Sequence, residues 1–341
     1  MLQYLIIQLC DTSTSFCHYT NDKTKAKLIS LSNLKLGIKF AMKQNLMIQF
    51  LYPDYDIPEE YKTVINSIDH SDIVASTCEN ETLRENADIV ILSDWTALEY
   101  YKFRKDSIYA LRTSKDDLFD RYLLLKPIIS KVYRLNIIIT DIENFTPEDF
   151  NKYKQILHVL SNKLADVFNN NDSVQLNLLT DRIILNKMNN CNAGFSHLTL
   201  APNGLLYICP AFYADKKTHQ SKYPEYDFCL GEMCNEIHIQ NESLYKLENS
   251  PLCRTCDAFQ CRRCIWLNKK TTLEVNTPSH EQCVISHLER NCSKELLESI
   301  RPGTAHTYII RGLAFLDRSL KLQSSTFCPF SSTLTAEYPS P

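Results

Sequence analysis

Four thiols stand within twelve residues in the run Cys253-Arg-Thr-Cys256-Asp-Ala-Phe-Gln-Cys261-Arg-Arg-Cys264. Packing alone does not call for that density, because a buried cysteine behaves as a small hydrophobe and other small hydrophobes would serve. The thiolate is the metal-binding form, so this run commits the chain to a metal-holding fold. A C-x2-C turn points both thiolates toward one centre, as half of a zinc site or part of an iron–sulfur site. With only four residues between the two pairs, one tetrahedral zinc held by all four is cramped. Splitting the four between two centres is more economical, and it calls on Cys191, Cys209 and Cys283. Nine of the 14 cysteines lie between Cys191 and Cys283. Cys10, Cys17, Cys78, Cys292 and Cys328 lie outside that interval and read as packing or surface thiols.

Those thiols must stay reduced to serve as ligands. The opening run Leu2–Leu9 has no basic flank and contains Gln3, Tyr4 and Gln8, so it is no signal peptide. No apolar stretch reaches transmembrane length. A cytoplasmic location is therefore expected, where thiols are ligands rather than disulfides. The net charge of -3 offers no global basic field, which argues against a nucleic-acid partner. Six glycines leave no phosphate loop of Walker or dinucleotide type.

The first half alternates short apolar runs with helical segments. Leu2–Leu9, Leu46–Leu51, Asp72–Ser76, Asp88–Leu92, Ile108–Arg112, Asn136–Thr140 and Val174–Leu179 read as strands. They are rich in Ile, Leu and Val and mostly not alternating, the pattern of parallel strands buried on both faces. Helices are expected at about 26–43, 58–67, 115–130 and after Thr146-Pro147-Glu148-Asp149, which reads as an N-cap, a proline at the first helical position and acids in the first turn. Strand–helix alternation implies a parallel sheet, here a full or partial α/β barrel. The loops after such strands hold Asp11, Asp54, Asp94 and Asp141, which read first as turn and cap residues. His18 beside Cys17 has no matched catalytic partner.

The second half opens on a hairpin. Phe195–Leu200 and Leu205–Ile208 flank Ala-Pro-Asn203-Gly204, where Asn203-Gly204 would supply the positive φ of a tight turn. Cys191 precedes this hairpin and Cys209 ends it, so the turn brings the two sulfurs near each other.

The order Cys191-x12-Gly204-x4-Cys209, then Cys253-x2-Cys256-x4-Cys261-x2-Cys264, then Cys283 resembles the SPASM domain of radical SAM peptide-modifying enzymes. The segment Leu230-Gly231-Glu232-Met233, followed by Ile237-His238-Ile239, is similar to a loop and strand of that domain. Both later spacers are one residue shorter than the family's. The resemblance covers about residues 188–295 and implies two 4Fe–4S clusters, with zinc as the alternative. One would be held by Cys253, Cys256, Cys261 and Cys283. The other would be held by Cys191, Cys209 and Cys264, with Cys229 or Cys234 as candidate fourth ligand or with that position open to substrate.

The radical SAM barrel carries C-x3-C-x2-C after its first strand. Here only Cys10 and Cys17 follow Leu2–Leu9, with six residues between them, and the next thiol is Cys78. Three thiolates are needed to hold a cluster that leaves one iron for S-adenosylmethionine, so that cofactor is not expected. The chain is most similar to the CXXX repeat peptide maturases, in Leu-Ile-Ile-Gln-Leu-Cys-Asp-Thr and in the cysteine region. The expectation is then an α/β chain in three parts. Residues 1–187 form a degenerate radical SAM-type barrel, 188–300 a SPASM-like iron–sulfur domain, and 301–341 a C-terminal helix (within Tyr308–Leu320) and a disordered Ser/Thr/Pro-rich tail. The function this resemblance implies is maturation of a ribosomally made, cysteine-rich precursor peptide, with room for a companion modification protein. The rival is a non-catalytic partner that presents the peptide while its metal sites only hold the fold. Arg254, Arg262, Arg263, Lys269 and Lys270 crowd the cysteine run and read as compensation for anionic thiolates. Trp266 would shield a cluster or pack in the core.

Overall fold

Each of the seven apolar runs of the first half forms a strand: β1 (Tyr4–Gln8), β2 (Met47–Leu51), β3 (Ser71–Ala75), β4 (Ile89–Leu92), β5 (Ile108–Thr113), β6 (Arg134–Ile139) and β7 (Gln175–Leu176). This computed structural model describes residues 2–96, 98–214, 228–233 and 237–300. Cys234, Cys328 and the expected C-terminal helix and tail at 301–341 lie outside the described residues. Between the strands run α1 (Leu31–Lys43), α2 (Glu59–Ile65), α3 (Glu81–Asn86), α4 (Lys115–Arg121), α5 (Leu125–Ile129), α6 (Pro147–Asn169) and α7 (Asp181–Ile184).

Local chemistry sets the boundaries. Ser30 accepts from the Asn33 amide, so α1 starts later than its apolar pattern suggests. The expected helix over 115–130 breaks into α4 and α5 through a 3-10 turn at Tyr122–Leu124. Pro127 has no amide to bond back one turn, so it sits in the first turn of a new helix. Thr146 and Asp149 form a reciprocal capping box at the start of α6, worth about 1 kcal/mol. β7 is shorter than expected because Asn177 replaces the ladder. Its Oδ1 accepts from the Ile137 amide at 2.8 Å and its Nδ2 donates to the Ile137 carbonyl at 2.9 Å.

The sheet order is β10-β9-β8-β1-β2-β3-β4-β5-β6-β7. β1 to β7 are parallel, and β8 (His197–Leu200) adds parallel to β1. β9 (Leu205–Tyr207) and β10 (Cys229–Glu232) follow antiparallel. The cysteine-rich segment therefore enters the same sheet that the first half builds. Alternate residues explain the non-alternating sequence. Leu5, Ile7, Phe50, Val74, Val90 and Leu111 pack toward the helices. Tyr4, Ile6, Leu51, Ile73, Ile91, Ala110 and Ile138 form a second core on the inner face, with Phe16 among them. His18 Nδ1 donates to the Ile139 carbonyl at 2.9 Å. A loop after β1 thus touches the end of β6, so the sheet curls into a partial barrel with β7 and β10 as its edges.

The hairpin turn differs from expectation in one respect. Gly204 has φ 85 but Asn203 is not among the positive-φ residues. Pro202, with φ fixed near −65°, sets an ordinary turn that Gly204 alone completes, closed by its amide on the Ala201 carbonyl at 2.9 Å. A Cβ on Gly204 would meet Asn33 Nδ2 at 2.3 Å.

Three further helices, α8 (Pro210–Ala214), α9 (Ile265–Thr272) and α10 (His280–Ser299), belong to the cysteine-rich half. α10 packs along α6, where the Tyr153 hydroxyl donates to Glu289 Oε1 at 2.7 Å. No helix of the described residues is long and apolar enough to cross a membrane.

Candidate metal centre

Two hydrogen bonds lay the segment before the hairpin along the cysteine run. The Asn189 amide donates to the Phe259 carbonyl at 2.8 Å and the Cys191 amide to the Arg262 carbonyl at 2.7 Å. Cys191 is thereby brought to the 261–264 turn, where Cys264 caps α9. Cys209 arrives from the other end of the hairpin, at the entry to α8. A cavity of about 120 Å3 is lined by Cys191, Cys209, Cys261 and Cys264 together with β1 and β6 residues, including Ile6 and Ile138.

The thiols that influence one another form two groups. Burial and the charge of Cys191 raise the Cys209 and Cys264 thiols, and Cys209 also feels Cys264. In the other group, burial pushes Cys253 up to about 11, with Cys283 and Cys256 adding to it. Burial likewise pushes Cys261 up to about 12, with a contribution from Cys253. Cys283 is raised by burial and then by Cys256.

Cys261 and Cys264 both line the cavity, but the backbone between them departs from an ordinary turn. The Cys256 amide bonds the Cys253 carbonyl at 3.1 Å, an ordinary turn that keeps those two thiols together. Between Cys261 and Cys264, by contrast, Arg263 takes a left-handed φ of 43. A non-glycine residue holds that conformation only when its surroundings over-determine it. Here they do. Arg263 is fully buried, and it donates to Asn190 Oδ1 at 2.6 Å, Ser250 Oγ at 2.5 Å and the Tyr245 carbonyl at 2.6 Å.

Of the five basic residues expected to compensate thiolates, two do so in the described structure. Arg262 lines the cavity, and Arg263 draws the Cys253 thiol down against the effect of burial. Lys269 instead donates to the Leu273 carbonyl at 2.8 Å, and Lys270 pairs with Glu143. Trp266 lines the cavity beside Cys264 and is 4% exposed, so it both packs and covers that thiol.

The remaining cysteines are placed as follows. Cys229 opens β10, paired with Tyr207, and is not part of the cavity lining. Cys10 meets the Tyr55 hydroxyl at 3.2 Å and Thr12 Oγ1 at 3.4 Å. Cys78 and Cys292 are buried in the core. The four loop aspartates accept structural hydrogen bonds, of which only that of Asp94 is local. Asp11 accepts from Tyr213, Asp54 from Thr77, Asp94 from Thr96 and Asp141 from the Lys115 amide.

Three residues near these thiols carried no sequence signal. Cys17 lies on the cavity wall with Cys191, Cys209 and Cys264, and burial raises it to about 12, with the charge of Cys191 adding. Glu289 on α10 also lines the cavity; it is buried and raised to about 7 by that burial. His287 Nε2 stands 3.6 Å from Cys256 Sγ in the second group.

The donor set fits a metal cluster. Cys209, Cys264, Cys253, Cys261 and Cys283 are all raised by burial, and a cation would reverse that penalty. No disulfide consumes the described cysteines, which are free thiols. Among the described residues, the group of three His, Cys, Asp or Glu atoms lying within 4.8 Å of one another is His158–Cys292–Glu295, and none comes from the two thiol sets.

No family model matches the chain, and no curated protein matches it. Solved structures do. One similar structure is a hexahistidine-tagged anSMEcpe with bound AdoMet (TM-score 0.55, 11% identity, covering 92% of this chain and 99% of that one). Another is a native anSMEcpe with bound AdoMet and Kp18Cys peptide (TM-score 0.52, 14% identity, 92% and 99% covered). The likeness is one of fold: a parallel-dominated α/β sheet like that of radical SAM enzymes, followed by a cysteine-rich C-terminal region.

Proposed function

We propose that this chain is a peptide-maturation protein holding two cysteine-ligated 4Fe–4S clusters and acting on a ribosomally made, cysteine-rich precursor peptide. The observation that carries it is the gathering of thiols that the sequence holds far apart: Cys191, Cys209, Cys261 and Cys264 line one cavity, while Cys253 and Cys256 share the turn just before them. When bound, such clusters supply one-electron redox chemistry. The chain's own residues bury the thiols, compensate them with Arg262 and Arg263, and cover Cys264 with Trp266. In this reading residues 1–187 are the barrel part and 188–300 the cluster part, and the protein works in the cytoplasm, alone or beside a companion modification protein. A peptide as the partner is supported by the fold likeness to anSMEcpe, one structure of which holds a peptide. The narrower kinship with CXXX repeat peptide maturases rests on the sequence pattern alone.

A second reading has its own support. Phe16 sits in the barrel's inner core with Tyr4, Ile6 and Leu51, and the loop after β1 holds two cysteines where three would be needed for S-adenosylmethionine. A barrel lacking that third thiol favours a protein that presents the peptide to a separate enzyme.

Anaerobic purification with iron, sulfide and zinc counts tests the first reading. Cys256→Ala and Cys209→Ala should each lose about half the iron. Zinc without iron or sulfide in the wild type would sink it. Peptide binding by the cluster-loaded protein with no change in peptide mass would select the presenting role.

A further inference from the structure

The first thiol group has three members from the cysteine-rich half, and the cavity they line has two further thiols: Cys261 and, on the connection between β1 and α1, Cys17. Its neighbours in the chain are each anchored. Phe16 enters the inner core of the barrel. His18 Nδ1 donates to the Ile139 carbonyl at 2.9 Å. Tyr19 packs edge-on against Trp266 with ring centroids 6.4 Å apart. Arg112, at the end of β5, donates to the carbonyls of Cys17 at 2.9 Å and Tyr19 at 2.6 Å. A thiol held by so many fixed neighbours has its direction set by the barrel.

We propose that Cys17 is the fourth thiolate of the first site, joining Cys191, Cys209 and Cys264 around one metal centre. The inference rests on the metal-binding reading above and narrows it. Cys17 lines the same cavity as Cys191, Cys209 and Cys264. Arg262 lines that cavity with the thiols and Arg112 holds the Cys17 carbonyl at 2.9 Å, which gives the anionic four-thiolate site two nearby cations. The rival Cys229 stands off the cavity wall.

With four protein thiolates the first site is closed, so no position is left there for a substrate sulfur; its role is electron transfer or structural support. The same centre also staples the first connection of the barrel to the cysteine-rich half, in the loop where a radical SAM enzyme would carry its own cluster.

The test uses the full chain, purified anaerobically, as wild type, Cys17→Ala, Cys17→Ser and Cys229→Ser. Iron, sulfide and zinc are counted, and EPR spectra are recorded before and after dithionite reduction. Cys17→Ala should either lose about half the iron or convert one cluster to a three-iron form with its own EPR signal. Cys229→Ser should match the wild type. Cys17→Ser retains an oxygen donor; should the alanine variant not fold, an EPR spectrum of the serine variant that differs from the wild type supports the same assignment. A wild-type iron count and unchanged spectra in both Cys17 variants overturn the role of Cys17 and leave the two-cluster reading standing. Wild type with zinc and no iron or sulfide overturns the cluster reading instead, and Cys17 is then judged by whether Cys17→Ala loses about half the zinc.

Discussion

The guanidinium of Arg112 reaches across the mouth of the barrel to the main chain of Cys17, with Nε 2.9 Å from its carbonyl oxygen. Its Nη2 holds the Tyr19 carbonyl at 2.6 Å. One side chain of β5 therefore sets the path of the loop that follows β1. Each hydrogen bond from a charged donor is worth about 1.5–3 kcal/mol. Arg112→Ala should thus destabilise the protein by about 3 kcal/mol or more in urea unfolding. It should also release metal from the first site before the second. An unchanged unfolding midpoint would show that water replaces both bonds at no cost.

Arg263 separates backbone strain from side-chain bonding. Arg263→Ala loses three buried hydrogen bonds and still needs the left-handed φ of 43. Arg263→Gly loses the same bonds but adopts that φ freely. Both should be destabilised by several kcal/mol, on the order of 3 or more, with the glycine variant about 1 kcal/mol the more stable. Chemical denaturation of the two side by side measures the difference. Equal stabilities would mean that the positive φ costs nothing here.

Glu289 gives the protein a pH dependence of defined sign. Its carboxyl accepts from Tyr153 at 2.7 Å and from Gln260 at 3.3 Å, yet burial dominates and raises it from 4.5 to about 7. The folded state then binds its proton more tightly than the unfolded state does. The contribution to stability is fully present below about pH 4.5 and is lost as pH rises through about 7. The shift corresponds to roughly 3 kcal/mol as an order of magnitude. Urea midpoints between pH 5 and 8 should fall with rising pH in the wild type more steeply than in Glu289→Gln. Parallel slopes would show that Glu289 is not the titrating group.

Metal removal should loosen one half more than the other. The turns around Cys253–Cys264 have little apolar support besides Cys253, Ala258 and Cys264, whereas α6 and the parallel strands share one large core. Limited trypsin digestion of anaerobically stripped protein should cut first at Arg254 and Arg262. Cleavage should spare Lys152, Lys154 and Lys163 in α6. Identical fragment patterns with and without metal would make the centres non-structural.

Much of this architecture was open to reading from local pattern. Runs such as Ile89–Leu92 and Ile108–Thr113 are apolar on both faces, which only a parallel sheet covered on both sides accommodates. Thr146-Pro147-Glu148-Asp149 announces α6 because capping is settled within four residues. The nearness of Cys191 to Cys209, and of Cys253 to Cys256, could be anticipated because a hairpin and a short turn are local devices. Less could be read of α10, whose pattern is interrupted by His287, Glu289 and Arg290, polar groups that face the cavity, the second thiol set or Asp257.

The chain's own residues, taken in order, determined that thiols gather at 253–264 and that β1 to β7 alternate with helices. They did not determine that Cys17 stands beside Cys191. That contact exists because β8 pairs with β1 rather than with β7, and because the sheet curls until the loop after β1 meets the end of β6. Strand order and curvature are set by the burial of the whole inner and outer cores, which no window of sequence contains. The form of the turn between Cys261 and Cys264 was likewise decided by tertiary structure, since the buried partners of Arg263, drawn from Asn190, Tyr245 and Ser250, hold its backbone left-handed.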